Sequence, residues 1–348
     1  MSESMSKQRK NILLLVAAFM LVDLVILAVL WQAGIFGNSE PATEEPDEAP
    51  PAVEAPPVVE PAPVVDWREA WEQIKQIEYA DERLSQYIAL RDGLEYFSKD
   101  QTELLRLAMM HFNGMDQIDF RAGRFTDPQR RTYIKLFDPT PTTDNVNQQV
   151  HDISALTGMN VQYLKLQPPL PNLSDYSPLA TMQVEDLWLV GNTNFIDITL
   201  INHMDGLIRA HLSKCGFADI RGLDLKADLH LLHLGVNSKL TSLEGIQGTK
   251  VRHLWLNSCD NLEDISAITE VDGLESLDLG NSGVYDLRPL AGVKTQRLTL
   301  GGCRAIRPRS AADYQRNREI LEAIGGEQSF RRWRDWVEHT LPNTKVTY

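Results

Sequence analysis

Apolar residues recur along this chain with two rhythms, one of about 22 residues and one helical. Between Val161 and Pro308 the same phrase returns about every 22 residues, a fixed period that marks a stacked repeat. It reads Val161-Gln-Tyr-Leu-Lys-Leu166, Val184-Glu-Asp-Leu-Trp-Leu189, Leu207-Ile-Arg-Ala-His-Leu212 and Leu229-His-Leu-Leu-His-Leu234. It continues as Val251-Arg-His-Leu-Trp-Leu256, Leu274-Glu-Ser-Leu-Asp-Leu279 and Thr295-Gln-Arg-Leu-Thr-Leu300. Each phrase predicts a strand whose first, fourth and sixth side chains point inward. A single turn cannot bury that face, so neighbouring turns must share one core. Three residues after each phrase stands Pro169, Asn192, Cys215, Asn237, Cys259, Ser282 or Cys303, a position suited to satisfying backbone groups where the chain leaves the strand. The segments leading to the next strand are short, so 3₁₀ or irregular turns are expected there.

The flanks keep the helical rhythm. Trp67, Trp71, Ile74 and Ile77 are spaced for one helix, Asp81–Phe97 for a second and Gln101–His111 for a third. After the repeat, Ala311–Thr340 reads as helix broken at Gly325-Gly326. Both blocks are expected to seal the open ends of the array. Between the first block and the repeat, Tyr133–Phe137 looks like one strand, and Val150-His-Asp-Ile-Ser-Ala-Leu156 closely matches Leu262-Glu-Asp-Ile-Ser-Ala-Ile268. An atypical first repeat carrying an insertion accounts for both.

The period, the strand phrase and the Asn/Cys column together are the leucine-rich-repeat signature. Val284-Tyr-Asp-Leu-Arg-Pro-Leu290 resembles the I-x-D-I-x-P-L return segment of internalins and of the phosphatase-regulator-like class. The likeness covers roughly Val150–Pro308; Ala210, Thr295 and Pro169 depart from it. It implies an α/β solenoid, a leucine-rich-repeat array with one parallel β-sheet and helical N- and C-terminal caps, and says almost nothing about a ligand.

Ahead of this domain the material changes. Ile12–Trp31 is about 20 residues of apolar sequence, enough to span a bilayer as a helix, with Asp23 as its one charge. A carboxylate there costs roughly 2.5–3.5 kcal/mol on insertion scales, which the surrounding Leu, Val and Ile residues offset. Lys7, Arg9 and Lys10 precede the run and only acids follow it until Arg68, so a single N-terminal transmembrane helix is expected with its N-terminus in the cytoplasm. A cleaved signal peptide shares the basic-then-apolar layout. The length of the run and the lack of a clean A-x-A site favour an uncleaved anchor. Asn38–Val65 alternates proline with Glu and Asp, a composition expected to be extended and unfolded. It could reach roughly 80–90 Å if fully polyproline-like. Anchor, Pro/Glu arm and distal domain together resemble, in layout only, the energy-transducing and cell-division proteins of bacterial envelopes. The expected organisation is a cytoplasmic tail 1–11, an inner-membrane anchor 12–31, a linker 32–65, a helical cap region 66–149, repeats 150–308 and a C-terminal cap 309–348, with the bulk of the chain periplasmic.

Composition then narrows the function. A net charge of −14 argues against nucleic acid, which is held mainly by basic surface. All three cysteines fall in the turn column, which points to small buried residues and away from a metal or redox site. There is no Gly-rich phosphate loop, no H-E-x-x-H, no G-x-S-x-G and no paired Cys-x-x-Cys. Strand alternation places two columns outward. One runs Lys165, Trp188, His211, His233, Trp255, Asp278, Thr299; the other runs Tyr163, Asp186, Arg209, Leu231, His253, Ser276, Arg297. Solvent-facing aromatics and arginines are the usual anchors of binding surfaces. The expectation is a non-enzymatic protein without cofactor, tethered to a membrane and binding a protein or envelope partner through these columns. The alternative is an envelope enzyme or metal-binding protein using the face of His211, His233 and His253. A flat sheet brings three or four tetrahedral ligands together with difficulty.

Overall fold

Contacts divide the chain into two units, Met1–Pro63 and Val64–Tyr348. A computed structural model describes residues 66–126, 131–136, 146–167, 169–224, 228–324 and 330–348, all of them in the second unit. The expected anchor, Ile12–Trp31, and the Pro/Glu stretch therefore lie outside the described residues, as does the Gly325-Gly326 break. Among the described residues no helix is long and apolar enough to cross a membrane.

The described residues form a ten-stranded sheet in strictly sequential order. The strands are β1 (Phe120–Arg124), β2 (Thr132–Leu136), β3 (Asn160–Leu166), β4 (Gln183–Trp188), β5 (Arg209–His211), β6 (Leu229–His233), β7 (Val251–Trp255), β8 (Ser276–Asp278), β9 (Arg297–Thr299) and β10 (Lys345–Thr347). From β2 to β10 every pairing is parallel, and β1 pairs antiparallel with β2. This is a leucine-rich-repeat solenoid: each strand is followed by a return segment, and every turn adds one strand to the same sheet. The inward side chains, such as Leu187, Leu232, Leu254 and Leu277, are almost fully buried and stack on one another in register. Each such side chain contributes roughly 1.5–3 kcal/mol through removal from water.

Two further columns run with the same period and hold the turns together. At the strand exits, Asn192 donates through Nδ2 to the carbonyls of Leu166 (2.7 Å) and Leu189 (2.9 Å) and accepts from the Leu170 amide (3.0 Å). Asn237 does the same between Leu212, Leu234 and Cys215. Where cysteine replaces asparagine, its thiol donates to the equivalent carbonyl, Cys215 to Leu189 (3.4 Å) and Cys259 to Leu234 (3.2 Å). All three cysteines are buried and unbonded to one another, and burial pushes their thiols up, Cys215 to about 12 and Cys259 and Cys303 to about 11. A thiol so held stays protonated and unreactive.

On the return side, Asp152, Asp175, Asp197, Asp219, Asp264 and Asp286 each accept from the amide two residues on, at 2.6–3.1 Å. Most of these acids open a 3₁₀ turn, including Ser154–Leu156, Ser177–Thr181, Ile198–Ile201, Ser266–Glu270 and Arg288–Gly292. Such side-chain caps satisfy amides that the short turns leave unpaired. Part of the acidity of the chain is therefore structural.

Three helices, α1 (Trp67–Ile74), α2 (Ala80–Asp92) and α3 (Lys99–Phe112), close the N-terminal end. Arg91, 1% exposed, donates to the carbonyls of Ala155 (3.1 Å) and Thr157 (2.8 Å), and Tyr87 donates to Ala155 (3.1 Å). Asn113 accepts from the amides of His151 and Asp152 at 2.7 and 2.8 Å. These bonds take up polar groups that the next repeat would otherwise have met. At the other end stand α4 (Ala311–Ile324) and α5 (Trp333–Thr340), with Trp333, Trp336 and Val337 buried. The sheet extends past Val150–Pro308 on both sides. β1 and β2 precede it, and the last residues of the chain return as β10 beside β9, where the Leu300 amide bonds to the Thr347 carbonyl at 2.8 Å.

Candidate partner-binding face

The register of the sheet assembles the outward columns residue by residue. Lys165, Trp188, His211, His233, Trp255, Asp278 and Thr299 are successive partners, and so are Tyr163, Asp186, Arg209, Leu231, His253, Ser276 and Arg297. Neighbouring strands sit about 4.8 Å apart, so each column is a ladder in which side chains touch their neighbours.

That contact overturns one expectation. Asp186 and His211 stand in the columns but are each only 8% exposed, and Leu231 is likewise buried. The cause is lateral. The Trp188 ring lies stacked on His211 at 3.7 Å and 21°, and its Nε1 donates to Asp186 Oδ1 at 2.7 Å. Arg209 Nε donates to Asp186 Oδ2 at 2.8 Å. The carboxylate is thus enclosed by an indole and a guanidinium, and His211 lies beneath the indole. Burial, working against the attraction of Asp186, holds the His211 imidazole down to about 4, with His233 and Arg209 adding to the depression. Burial and the Asp186 charge raise Tyr163 to about 12.

Trp255 is different. It is 38% exposed, and its ring contact is an edge-on approach from His233 at 5.2 Å. Beside it His253 meets His230 at 4.8 Å, and burial lowers both His233 and His253 from the ordinary imidazole range. Asp278, half-buried in the column, bends back to the chain at the strand exit and accepts from the Gly280 amide at 2.8 Å. Arg297 is exposed at the far end.

Sequence reasoning missed the beginning and the end of this face. Tyr133 and Lys135 on β2 extend the two columns beyond Tyr163 and Lys165, and Lys345 and Thr347 on β10 extend them beyond Arg297 and Thr299. The signal was present: Tyr133-Ile-Lys-Leu136 echoes Tyr163-Leu-Lys-Leu166, and Lys345-Val-Thr347 echoes Arg297-Leu-Thr299. With these additions the two columns carry five cations, Lys135, Lys165, Arg209, Arg297 and Lys345, against two carboxylates, Asp186 and Asp278, on a chain whose net charge is −14.

For the alternative reading, the histidines are adjacent but do not converge. His211 and His233 are 6.1 Å apart between ring centroids at 81°, and among the described residues no three His, Cys, Asp or Glu side chains are grouped to hold a metal ion. His211 and His233 pack against their ladder neighbours, and His253 against His230 on the adjoining strand.

No protein-family model matches the chain, and no curated protein matches it in sequence. Among solved structures, internalin C2 of Listeria monocytogenes aligns with 56% of this chain and 92% of its own, at 18% identity and a TM-score of 0.35. A second Listeria monocytogenes internalin, inlF, aligns with 67% of this chain and 58% of its own, at 16% identity and a TM-score of 0.29. The fold assignment rests on the chain's own period and register.

Proposed function

We propose that this protein is a non-enzymatic interaction module that binds a protein or cell-envelope partner through the outward columns of its sheet. One observation carries the reading: Trp255, a large aromatic, stands 38% exposed in the middle of a rigid parallel sheet, with charged Arg297 and Asp278 beyond it. Aromatic anchors in that setting supply most of the affinity of protein interfaces. The side chains are pre-positioned by backbone that the repeat already fixes, so little ordering opposes binding.

The same proposal places the module outside a membrane, with Ile12–Trp31 as anchor and the basic N-terminus in the cytoplasm, on the strength of apolar length and charge asymmetry alone. Protease added to intact spheroplasts should degrade the domain while leaving a fragment that stays with the membrane after alkaline extraction. Full protection of the domain would refute that placement.

The binding claim is tested by capture from membranes with the full chain. The Trp255→Ala/Arg297→Ala variant is expected to lose the partner that the wild type retains. Undiminished capture by that variant would remove the outward columns from the interface.

A further inference from the structure

Two lysines stand side by side where the first strands reach the outward face. Lys135 on β2 and Lys165 on β3 are register partners, on strands about 4.8 Å apart. Among the described residues neither has a carboxylate partner; the charges that Lys135 feels are those of Lys165 and Arg121. Burial, followed by those two charges, lowers Lys135 from the ordinary amine range. Aromatic rings hold the pair in place. The Lys135 ammonium lies 4.7 Å from the Phe125 ring centroid, 5.0 Å from Tyr133 and 4.8 Å from Tyr163, and the Lys165 ammonium lies 5.5 Å from Trp188. Ring quadrupoles attract cations and so offset the repulsion between them.

The same contacts show what this end of the face does not offer. Phe125 packs on Tyr133 at 4.6 Å, Tyr163 on Trp188 at 6.3 Å and Trp188 on His211 at 3.7 Å. The rings face cations and one another, so a sugar ring or flat apolar ligand finds no open platform. What the surface presents outward is a pair of like-charged ammonium groups, each with donor hydrogens and, among the described residues, no anion.

We propose that this end of the sheet binds an acidic protein segment, with an Asp or Glu carboxylate of the partner bridging Lys135 and Lys165. The inference rests on the reading that the outward columns are the interface, and it adds the chemistry of the partner. One carboxylate there relieves the lysine–lysine repulsion and makes two charge-assisted hydrogen bonds beside aromatic rings that limit access of water. The cationic balance of the columns, on an acidic chain, directs the same partner to the same face.

The test uses fluorescein-labelled octaglutamate and the full chain in a nonionic detergent, read by fluorescence anisotropy at low salt. The chain's own acidic stretch, Asn38–Val65, is present in every variant and competes with the peptide only where the lysines remain, so it can narrow the difference between variants but not create it. Saturable binding is expected, weakened about tenfold by Lys135→Met/Lys165→Met, the loss of one well-placed ion pair. Methionine keeps the apolar stem against the rings, so urea unfolding should show the double variant folded. Lys135→Arg/Lys165→Arg should restore binding, and Lys239→Met/Lys294→Met, exposed lysines outside both columns, should not alter it. Equal affinity in the charge-removed variant, no binding by the wild type, or tighter binding of a hyaluronan oligosaccharide than of the peptide each overturns the proposal. Trp255-dependent capture that persists alongside any of these results leaves the interface reading standing while the acidic-segment reading falls. Loss of that Trp255 dependence, with the lysine dependence intact, would do the reverse.

Discussion

Trp188 and Trp255 occupy the same column three strands apart, and the fold treats them in opposite ways. Trp188 is stacked on His211, bonded to Asp186 and approached by Lys165, so both its faces and its N–H are engaged within the protein. Trp255 has one edge contact and 38% of its surface in water. The sequence phrase is the same at both places, L-W-L after an acidic or imidazole residue. The difference comes from the neighbours on the flanking strands. Arg209 and His211 follow Trp188 and complete a closed network around Asp186, whereas Asp278 follows Trp255 and bonds to its own backbone. An outward column is therefore two kinds of surface. One end is a self-satisfied polar and aromatic layer that positions cations, and the middle is an open anchor.

The largest expected effect that would break this contrast is on stability. Trp188→Ala removes a stacked ring and leaves Asp186 short of a donor, and should cost about 2–3 kcal/mol. Trp255→Ala should change stability by less than about 0.5 kcal/mol. Urea titrations of both variants measure it; equal losses would mean that the two tryptophans do the same job. Next in size is a pH effect that is largest at the closed end. His211 is held near 4 in the fold and returns to about 6.5 when unfolded. Between those values the unfolded chain binds the extra proton. Stability therefore rises with pH across this window and is lost as pH falls through it, by at most about 1.4 kcal/mol per pH unit from this one group. His211→Gln should flatten the dependence between pH 6.5 and 4. An unchanged slope would place the titration elsewhere.

The smallest effect concerns the turns that set the ladder. Gly191, Lys214, Val236, Ser258, Asn281 and Gly302 leave their strands with φ between 54° and 85°, a left-handed region in which a β-branched side chain is strained. Val236 sits there at φ 60° and is 42% exposed, so its side chain gains little from burial. Val236→Asn should stabilise the protein by about 0.5–1 kcal/mol, read as a raised urea midpoint with unchanged m-value.

Much of this architecture is legible in the sequence, because a solenoid repeats one local solution. The L-x-x-L-x-L phrase placed β3 to β9, and the turn column announced the roles of Asn192, Asn237 and the cysteines. The ends were less legible. Tyr133-Ile-Lys-Leu136 lacks the leading leucine and stands 30 rather than about 22 residues before its echo, and Lys345-Val-Thr347 is only three residues long beyond two helices. Alternation assigns Asp186 and His211 to the outward columns, but their burial depends on contacts between strands, about which a period along one chain is silent. The lysine pair was hidden because half of it lies on the strand of the atypical first repeat, whose register against β3 the 22-residue period does not supply.

On the proposed function, partners meet the sheet at its open middle. The most direct measurement is a photo-crosslinking scan in the intact chain, with a photoreactive residue placed in turn at Trp255, His253, Arg297 and, on the return side, exposed Glu244. One common adduct is expected from Trp255, His253 and Arg297 and none from Glu244. An adduct from Glu244 with silence at Trp255 would contradict it.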